Sequence, residues 1–376
     1  TENTENIVET KIQADTNLIN QSENNITTKT LYTLPSVSDI AIAGTNRGNG
    51  HDKQHLGMYM PAGSSFEIRQ VSSNSNLTLS CLNNDSQTEK SYTISKNGDW
   101  VEVIAYVDSV PFISTVYGLS ENPVVELRNK QGIENLTYYT YGDNEQEFFD
   151  TWNANNQSYA VIESKRATFL VPVKDREDIV KPNGNTYQFK SINEMLNYYD
   201  DFIEQFDRYI GLSDDTTNSL NKNVKSKFFV KANKHGAGAA YYGGSYTAQN
   251  GDTISGYLSK GWLSLHEVGH GYEGSLANQD LALVDVMNNI LSHYYQITFL
   301  NENDGGWLGK KLNIENSMKT ARETVSNYNE FSYSQKLYSF VNLLDKIGPE
   351  KSMSYVHSKY REYIKQGKRY NASDMY

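Results

Sequence analysis

Trp262-Leu263-Ser264-Leu265-His266-Glu267-Val268-Gly269-His270 is the stretch on which the reading of this 376-residue chain turns. On a helix, positions i and i+4 lie one turn apart on one face, so the imidazoles of His266 and His270 can reach a single ion. Glu267 projects beside them, where a carboxylate can take a proton from a water that the metal acidifies. With only 7 His in the chain, chance supplies about 0.01 copies of this pattern, so the spacing is a signal. The ion it implies is Zn2+, the usual Lewis acid for such a pair. Trp262, Leu263 and Leu265 are expected to give the helix a buried side. Gly269 and Gly271 each cost a helix about 1 kcal/mol. They imply either a tight helix–helix contact or the close approach of a backbone or substrate.

A catalytic zinc site needs a third protein ligand and one open position. Glu273 stands three residues after His270, but three ligands from one straight helix reach past a tetrahedral centre. Asp280 is a second candidate, expected in the connecting loop. Asp285, with 14 residues between it and His270, is the better placed. If residues 285–294 are helical, Asp285, Asn288, Asn289 and Ser292 form one polar stripe and Met287, Ile290, Leu291 and Tyr294 an apolar one. Small polar groups suit a helix lining a metal site, with the Asn side chains supporting the ligands.

Outward from the motif, the hydrophobic period divides the chain. After Pro182 it is helical. Ser191-Ile192-Asn193-Glu194 has the form of a capping box. Ile192, Leu196, Tyr199, Ile203, Phe206 and Ile210 follow as a stripe, with Gly211 as the stop. Further helices are predicted over 262–273, 280–299, 316–327, 334–347 and 350–365, the last two separated by Gly348-Pro349. From about 31 to 175 the period is two, in short runs such as 65–71, 77–82, 100–107, 124–127 and 167–173. Asn97-Gly98 and Gly142-Asp143 read as turns, and the whole as a sandwich-like module. Residues 1–30 are polar, rich in Asn, Thr and Glu, and expected to form a disordered tail. The chain starts at Thr1, so a processed or shortened chain is expected.

Composition narrows the function classes. The 45 acidic and 34 basic residues leave a net charge of −11, the wrong sign for displacing counterions from nucleic acid. No run approaches the roughly 20 apolar residues of a membrane span. The single cysteine, Cys81, excludes an intrachain disulfide and a multi-cysteine metal site. The 28 Tyr supply apolar area with a polar end, which offsets a modest aliphatic content.

Two more stretches stand out. One is Arg47-Gly48-Asn49-Gly50-His51-Asp52, followed by Leu56-Gly57-Met58-Tyr59-Met60-Pro61-Ala62-Gly63. The other is the segment from Asp285 to Tyr294. With the 262–270 stretch they resemble the enhancin family, the viral enhancins and the bacterial mucin-degrading zinc metallopeptidases related to them, across most of residues 35–300. The resemblance implies a zinc peptidase acting on O-glycosylated, mucin-like proteins. It also implies a third ligand at Asp285, where the family carries Glu, one methylene longer. The His51-Asp52 pair falls in the β module and is expected to link loops by hydrogen bonds rather than to bind metal. The glycine- and tyrosine-rich stretch 236–246 is expected to form a sheet edge beside the cleft, with Gly238, Tyr241 and Tyr242 near substrate.

The resulting expectation is an α+β chain with three parts: a tail (1–30), an N-terminal β-sandwich-like module (31–175) and a mainly helical zincin catalytic domain with a small edge sheet (176–376). It is expected to be a secreted or cell-surface monomer and a zinc metalloendopeptidase. Glu267 is its general base and His266, His270 and Asp285 its ligands. Two other classes stand beside this one: a glycan- or mucin-binding protein whose metal site has decayed, and a general peptidase or toxin with no glycan requirement. An intact Glu267 argues against decay.

Overall fold

Alternating short runs in the first third of the chain form strands that bury every second side chain. A computed structural model describes residues 25–37, 49–72, 75–278, 282–302, 311–324 and 328–368. The strands of the first compact unit are β1 (Thr27–Thr30), β2 (Lys53–His55), β3 (Met58–Tyr59), β4 (Ser65–Gln70), β5 (Leu77–Leu82), β6 (Lys90–Ile94), β7 (Val101–Ile104), β8 (Val110–Ser114), β9 (Val124–Gln131) and β10 (Glu134–Asn135). They make two four-stranded sheets, ordered β1-β9-β4-β7 and β2-β8-β5-β6, and a short β3–β10 ladder. In β4 the pleat turns Phe66 and Ile68 inward, opposite Val103 and Leu127. Leu77, Leu79 and Ile113 of the other sheet join them in one apolar core. Two sheets sharing one core is the expected sandwich-like module. Asn97-Gly98 turns between β6 and β7, with Gly98 at φ +86°.

Thr27–Thr30 departs from the expected tail. All four side chains are exposed, in keeping with their polarity, yet their backbone pairs antiparallel with β9 from Thr27–Leu127 to Thr30–Val124. Main-chain hydrogen bonding does not depend on side-chain polarity, so composition alone missed this strand. Residues 1–24 lie outside the described residues.

The second unit holds one six-stranded sheet and the helices. Its strands are β11 (Tyr138–Thr140), β12 (Tyr159–Glu163), β13 (Ala167–Pro172), β14 (Phe228–Asn233), β15 (Ala240–Tyr242) and β16 (Thr247–Asn250). They run in the order β11-β12-β13-β14-β16-β15, so β15 is an edge strand, antiparallel to β16. The sequence reading grouped residues up to 175 with the sandwich. In the structure β13 pairs parallel with β14, and residues from Thr137 onward cluster with the second unit. A period of two identifies a strand but not the sheet it joins.

The helices are α1 (Glu145–Asn155), α2 (Ile192–Tyr209), α3 (Trp262–Gly269), α4 (Met287–Phe299), α5 (Lys311–Thr324), α6 (Tyr333–Ile347) and α7 (Pro349–Lys365). The predicted stripe of α2, from Ile192 to Ile210, is fully buried. Ser191 caps α2 by accepting the Glu194 N–H at 3.1 Å. The reciprocal half of the box is shifted by one residue: the Glu194 carboxylate takes the Lys190 N–H and pairs with Lys260. Among the described residues no helix is long and apolar enough to cross a membrane.

Gly211 ends α2 at φ +79°, and a Cβ there would stand 2.8 Å from Ser358 Oγ and 3.0 Å from the Ser354 carbonyl on α7. Gly211→Ala is therefore expected to cost about 1–3 kcal/mol through backbone strain and contact with α7. Urea unfolding measures it, and an unchanged midpoint would contradict this packing.

Candidate metal centre

The His266-to-His270 spacing does locally what a helix period dictates. The two rings sit with centroids 4.8 Å apart, nearly perpendicular. Helix α3 ends at Gly269, and His270–Tyr272 continues as one 3-10 turn, so the predicted helix over 262–273 is shorter. Trp262 is half-exposed rather than buried, and its ring lies 5.9 Å from that of His266. The N-terminus of α3 is steadied by the Tyr198 hydroxyl, which accepts the Gly261 N–H at 3.2 Å and bonds Ser264 at 3.1 Å.

The third side chain arrives from an unexpected conformation. Asp285 is not on a helix: α4 starts at Met287, and Asp285 has φ +61°. Val286 offers no capping side chain, and the job falls to Glu273. Its Oε1 accepts the Asp285 N–H at 3.2 Å and the Asn288 N–H at 3.4 Å. That carboxylate satisfies two amide donors at the start of α4 and holds the turn that carries Asp285. The predicted polar stripe survives from Asn288 onward.

Asp285 Oδ1 lies 3.4 Å from His266 Nε2 and 3.2 Å from His270 Nε2. Among the described residues, His266, His270 and Asp285 bring one ligand atom each to within 4.8 Å of the others. Ligands about 2.1 Å from a tetrahedral zinc are about 3.4 Å apart, so the two shorter separations suit that ion.

The remaining ring atoms are committed. Asn289 donates its amide N–H to the Asp285 carbonyl at 2.6 Å, which turns its oxygen toward His266 Nδ1 at 2.7 Å. His266 Nδ1 therefore carries the proton, and Nε2 is left as the lone-pair donor. Glu273 Oε2 accepts from His270 Nδ1 at 2.9 Å and fixes the same tautomer there. Both oxygens of Glu273 are thus engaged in orienting groups around the centre. Asp280, the other candidate ligand, lies outside the described residues.

Burial lowers the pKa of His266, with the neighbouring His270 adding to the effect. Burial acts the same way on His270, but the Glu273 hydrogen bond and the charges of Glu273, Glu267 and Asp285 outweigh it and raise that pKa. Glu267 is 7% exposed, and its Oε2 has no hydrogen-bond partner among the described residues. Burial, reinforced by the charges of Asp285 and Glu273 against that of His270, raises its pKa to about 7.

Gly269 resolves as a helix–helix contact. A Cβ there would meet Asn288 Cβ at 2.9 Å and the Asn288 carbonyl at 3.1 Å. At Gly271 a Cβ would meet Phe228 at 2.7 Å and the Tyr242 hydroxyl at 2.9 Å. Tyr242 and Tyr241 belong to edge strand β15, and Gly238 precedes it at φ +62°.

The sequence of residues 132–376 matches the family described as Peptidase M60, enhancin and enhancin-like. The chain belongs to that family. The family is one of metalloproteases. A viral-enhancing factor of Trichoplusia ni granulosis virus is 28% identical over 265 residues, covering 67% of this chain. The chain spans only 28% of that relative's length. Among solved structures, a functionally unknown conserved protein (mutant) from Bacillus anthracis aligns with TM-score 0.75 and 14% identity, covering 93% of this chain and 71% of its own. The ZmpB metallopeptidase of Clostridium perfringens aligns at 0.66 and 15%, over 93% and 72%. The M60 catalytic domain of ZmpC from the same organism, in complex with sialyl T antigen, aligns at 0.66 and 14%, over 93% and 72%. At these identities the likeness is one of fold.

If the three side chains form one metal site, Asp285→Ala should weaken zinc binding by more than about 10²-fold. Glu273→Ala, acting through His270, should weaken it by about 10- to 100-fold. Competition with a chelator measures both. Wild-type affinity in Asp285→Ala would remove Asp285 from the site.

Proposed function

We propose that this chain is a zinc-dependent endopeptidase that cleaves O-glycosylated, mucin-like proteins outside the cell or at its surface. One observation supports the metal chemistry above the others: two imidazole Nε2 atoms of fixed tautomer converge on one Asp285 carboxylate oxygen. His266, His270 and Asp285 would hold the ion. Zinc held there supplies Lewis acidity to a scissile carbonyl and to the attacking water.

The remaining work falls to the chain's own groups. Glu267 is buried beside the three side chains, with a carboxylate oxygen that has no hydrogen-bond partner among the described residues. Such a carboxylate is matched to both halves of the proton transfer: it accepts the proton of the attacking water and returns it to the leaving amine. Edge strand β15 supports the binding half of the reading. Residues 239 and 243 exchange backbone bonds with β16, through Asn250 N–H to Ala239 and Gly243 N–H to Tyr246. By antiparallel alternation, the N–H and C=O groups of Ala240 then face away from β16. An extended peptide adds to such an edge as a further strand. The glycan preference draws its support from the family resemblance and from the sialyl T antigen bound by the ZmpC domain.

Glu267→Gln keeps the shape and removes the base. It should leave zinc affinity within a few-fold of wild type while lowering kcat by about 10²-fold or more. Cleavage at the wild-type rate would exclude this role for Glu267. A mucin-type glycoprotein should be cleaved faster than the same protein stripped of O-glycans; equal or faster cleavage of the stripped form would favour a peptidase without glycan requirement.

A further inference from the structure

The His51-Asp52 motif is not part of the metal centre, and the mechanism above leaves it unused. It does not sit in the sandwich as the sequence reading expected: His51 and Asp52 cluster with the second unit. Arg47 and Gly48 of the same motif lie outside the described residues. His51 is fully buried. Its Nε2 lies 2.7 Å from the Gly243 carbonyl, which can only accept, so Nε2 carries the proton. Its Nδ1 accepts the Phe229 N–H of β14 at 3.3 Å. Its ring stacks on Tyr242 of β15, with centroids 4.7 Å apart and planes 20° from parallel. One neutral imidazole thus ties β14 to the end of the edge strand.

The neighbouring residues act on the same place. A Cβ on Gly50 would collide with the Gly244 carbonyl oxygen, so the two backbones touch directly. The Lys53 ammonium bonds the carbonyls of Ser245 and Gly50. Asp52 accepts the Lys227 N–H at 2.8 Å, just before β14 begins. Residues 243–246 join β15 to β16, and four consecutive residues of a segment some 190 positions earlier hold that connection or the strand beside it. Burial and the Lys53 charge depress the His51 pKa to about 3, in keeping with the neutral tautomer these bonds require.

We infer that residues 50–53 are a positioning clamp for the edge strand, with His51 as its central group, setting where strand β15 lies for a substrate backbone that adds to its edge. The peptidase reading supplies what the strand is positioned for; the clamp itself is a matter of these contacts. His51 is a positioning residue: its hydrogen bonds run to Gly243 and Phe229 and its ring stacks on Tyr242.

The test uses two variants of the full chain. His51→Phe keeps a flat ring against Tyr242 and removes both hydrogen bonds. Gly50→Ala leaves His51 intact and wedges the two backbones apart. Hydrogen–deuterium exchange should show amides in 239–246 exchanging about ten-fold faster in either variant, with β12 and β13 unchanged. Zinc affinity should stay within about two-fold of wild type. For a peptide substrate, KM should rise about ten-fold with kcat within about two-fold. Unchanged exchange across 239–246, acceleration spread evenly over the second unit, or a fall in kcat with KM constant would overturn the clamp. If His51→Phe does not fold, Gly50→Ala decides alone. If the wild-type chain cleaves nothing, the peptidase reading fails while exchange still decides the clamp.

Discussion

Helices α3 and α4 approach so closely at Gly269 that no side chain fits between that residue and Asn288. The rest of the centre depends on this contact. It brings Asn289 within reach of the His266 ring and the turn before α4 within reach of both Nε2 atoms. A larger residue at 269 would push the helices apart by the size of a methyl group, and a metal site tolerates only a fraction of that. The helix-propensity cost of Gly269, about 1 kcal/mol, is offset by what the close approach permits.

Glu273 then links parts of the centre that are distant in sequence. One oxygen fixes the His270 tautomer and the other holds the backbone of the turn that carries Asp285. Orientation of the His270 ring and placement of Asp285 are thereby coupled through one buried carboxylate. Asp285 can sit at φ +61° because short polar side chains tolerate the left-handed region better than longer ones. Asp285 thus reaches the centre from the turn that precedes α4 rather than from the helix itself.

How much of this could be read from the residues depends on how local each feature is. The His266–Glu267–His270 arrangement and the buried stripe of α2 are set by one helical period, and both were legible. Asp285 was legible as a residue but not as a conformation, because its turn is held by Glu273, twelve positions earlier. The strand at Thr27–Thr30 was hidden by its polar side chains, since only its backbone joins a sheet. The sheet to which β11, β12 and β13 belong was equally hidden: it is decided by pairing with β14, some sixty residues on. The His51-Asp52 motif could be singled out, but its partners lie 175 to 192 residues away.

The central claim is that one zinc ion sits among His266, His270 and Asp285, and anomalous X-ray scattering at the zinc edge addresses it most directly. Crystals of the zinc-loaded chain should show a single strong peak about 2.0–2.2 Å from both Nε2 atoms and from an Asp285 carboxylate oxygen. Glu273 should lie beyond bonding distance and still bridge His270 and the Asp285 backbone. A peak ligated by Glu273 in place of Asp285, or no peak among these residues, would contradict the account.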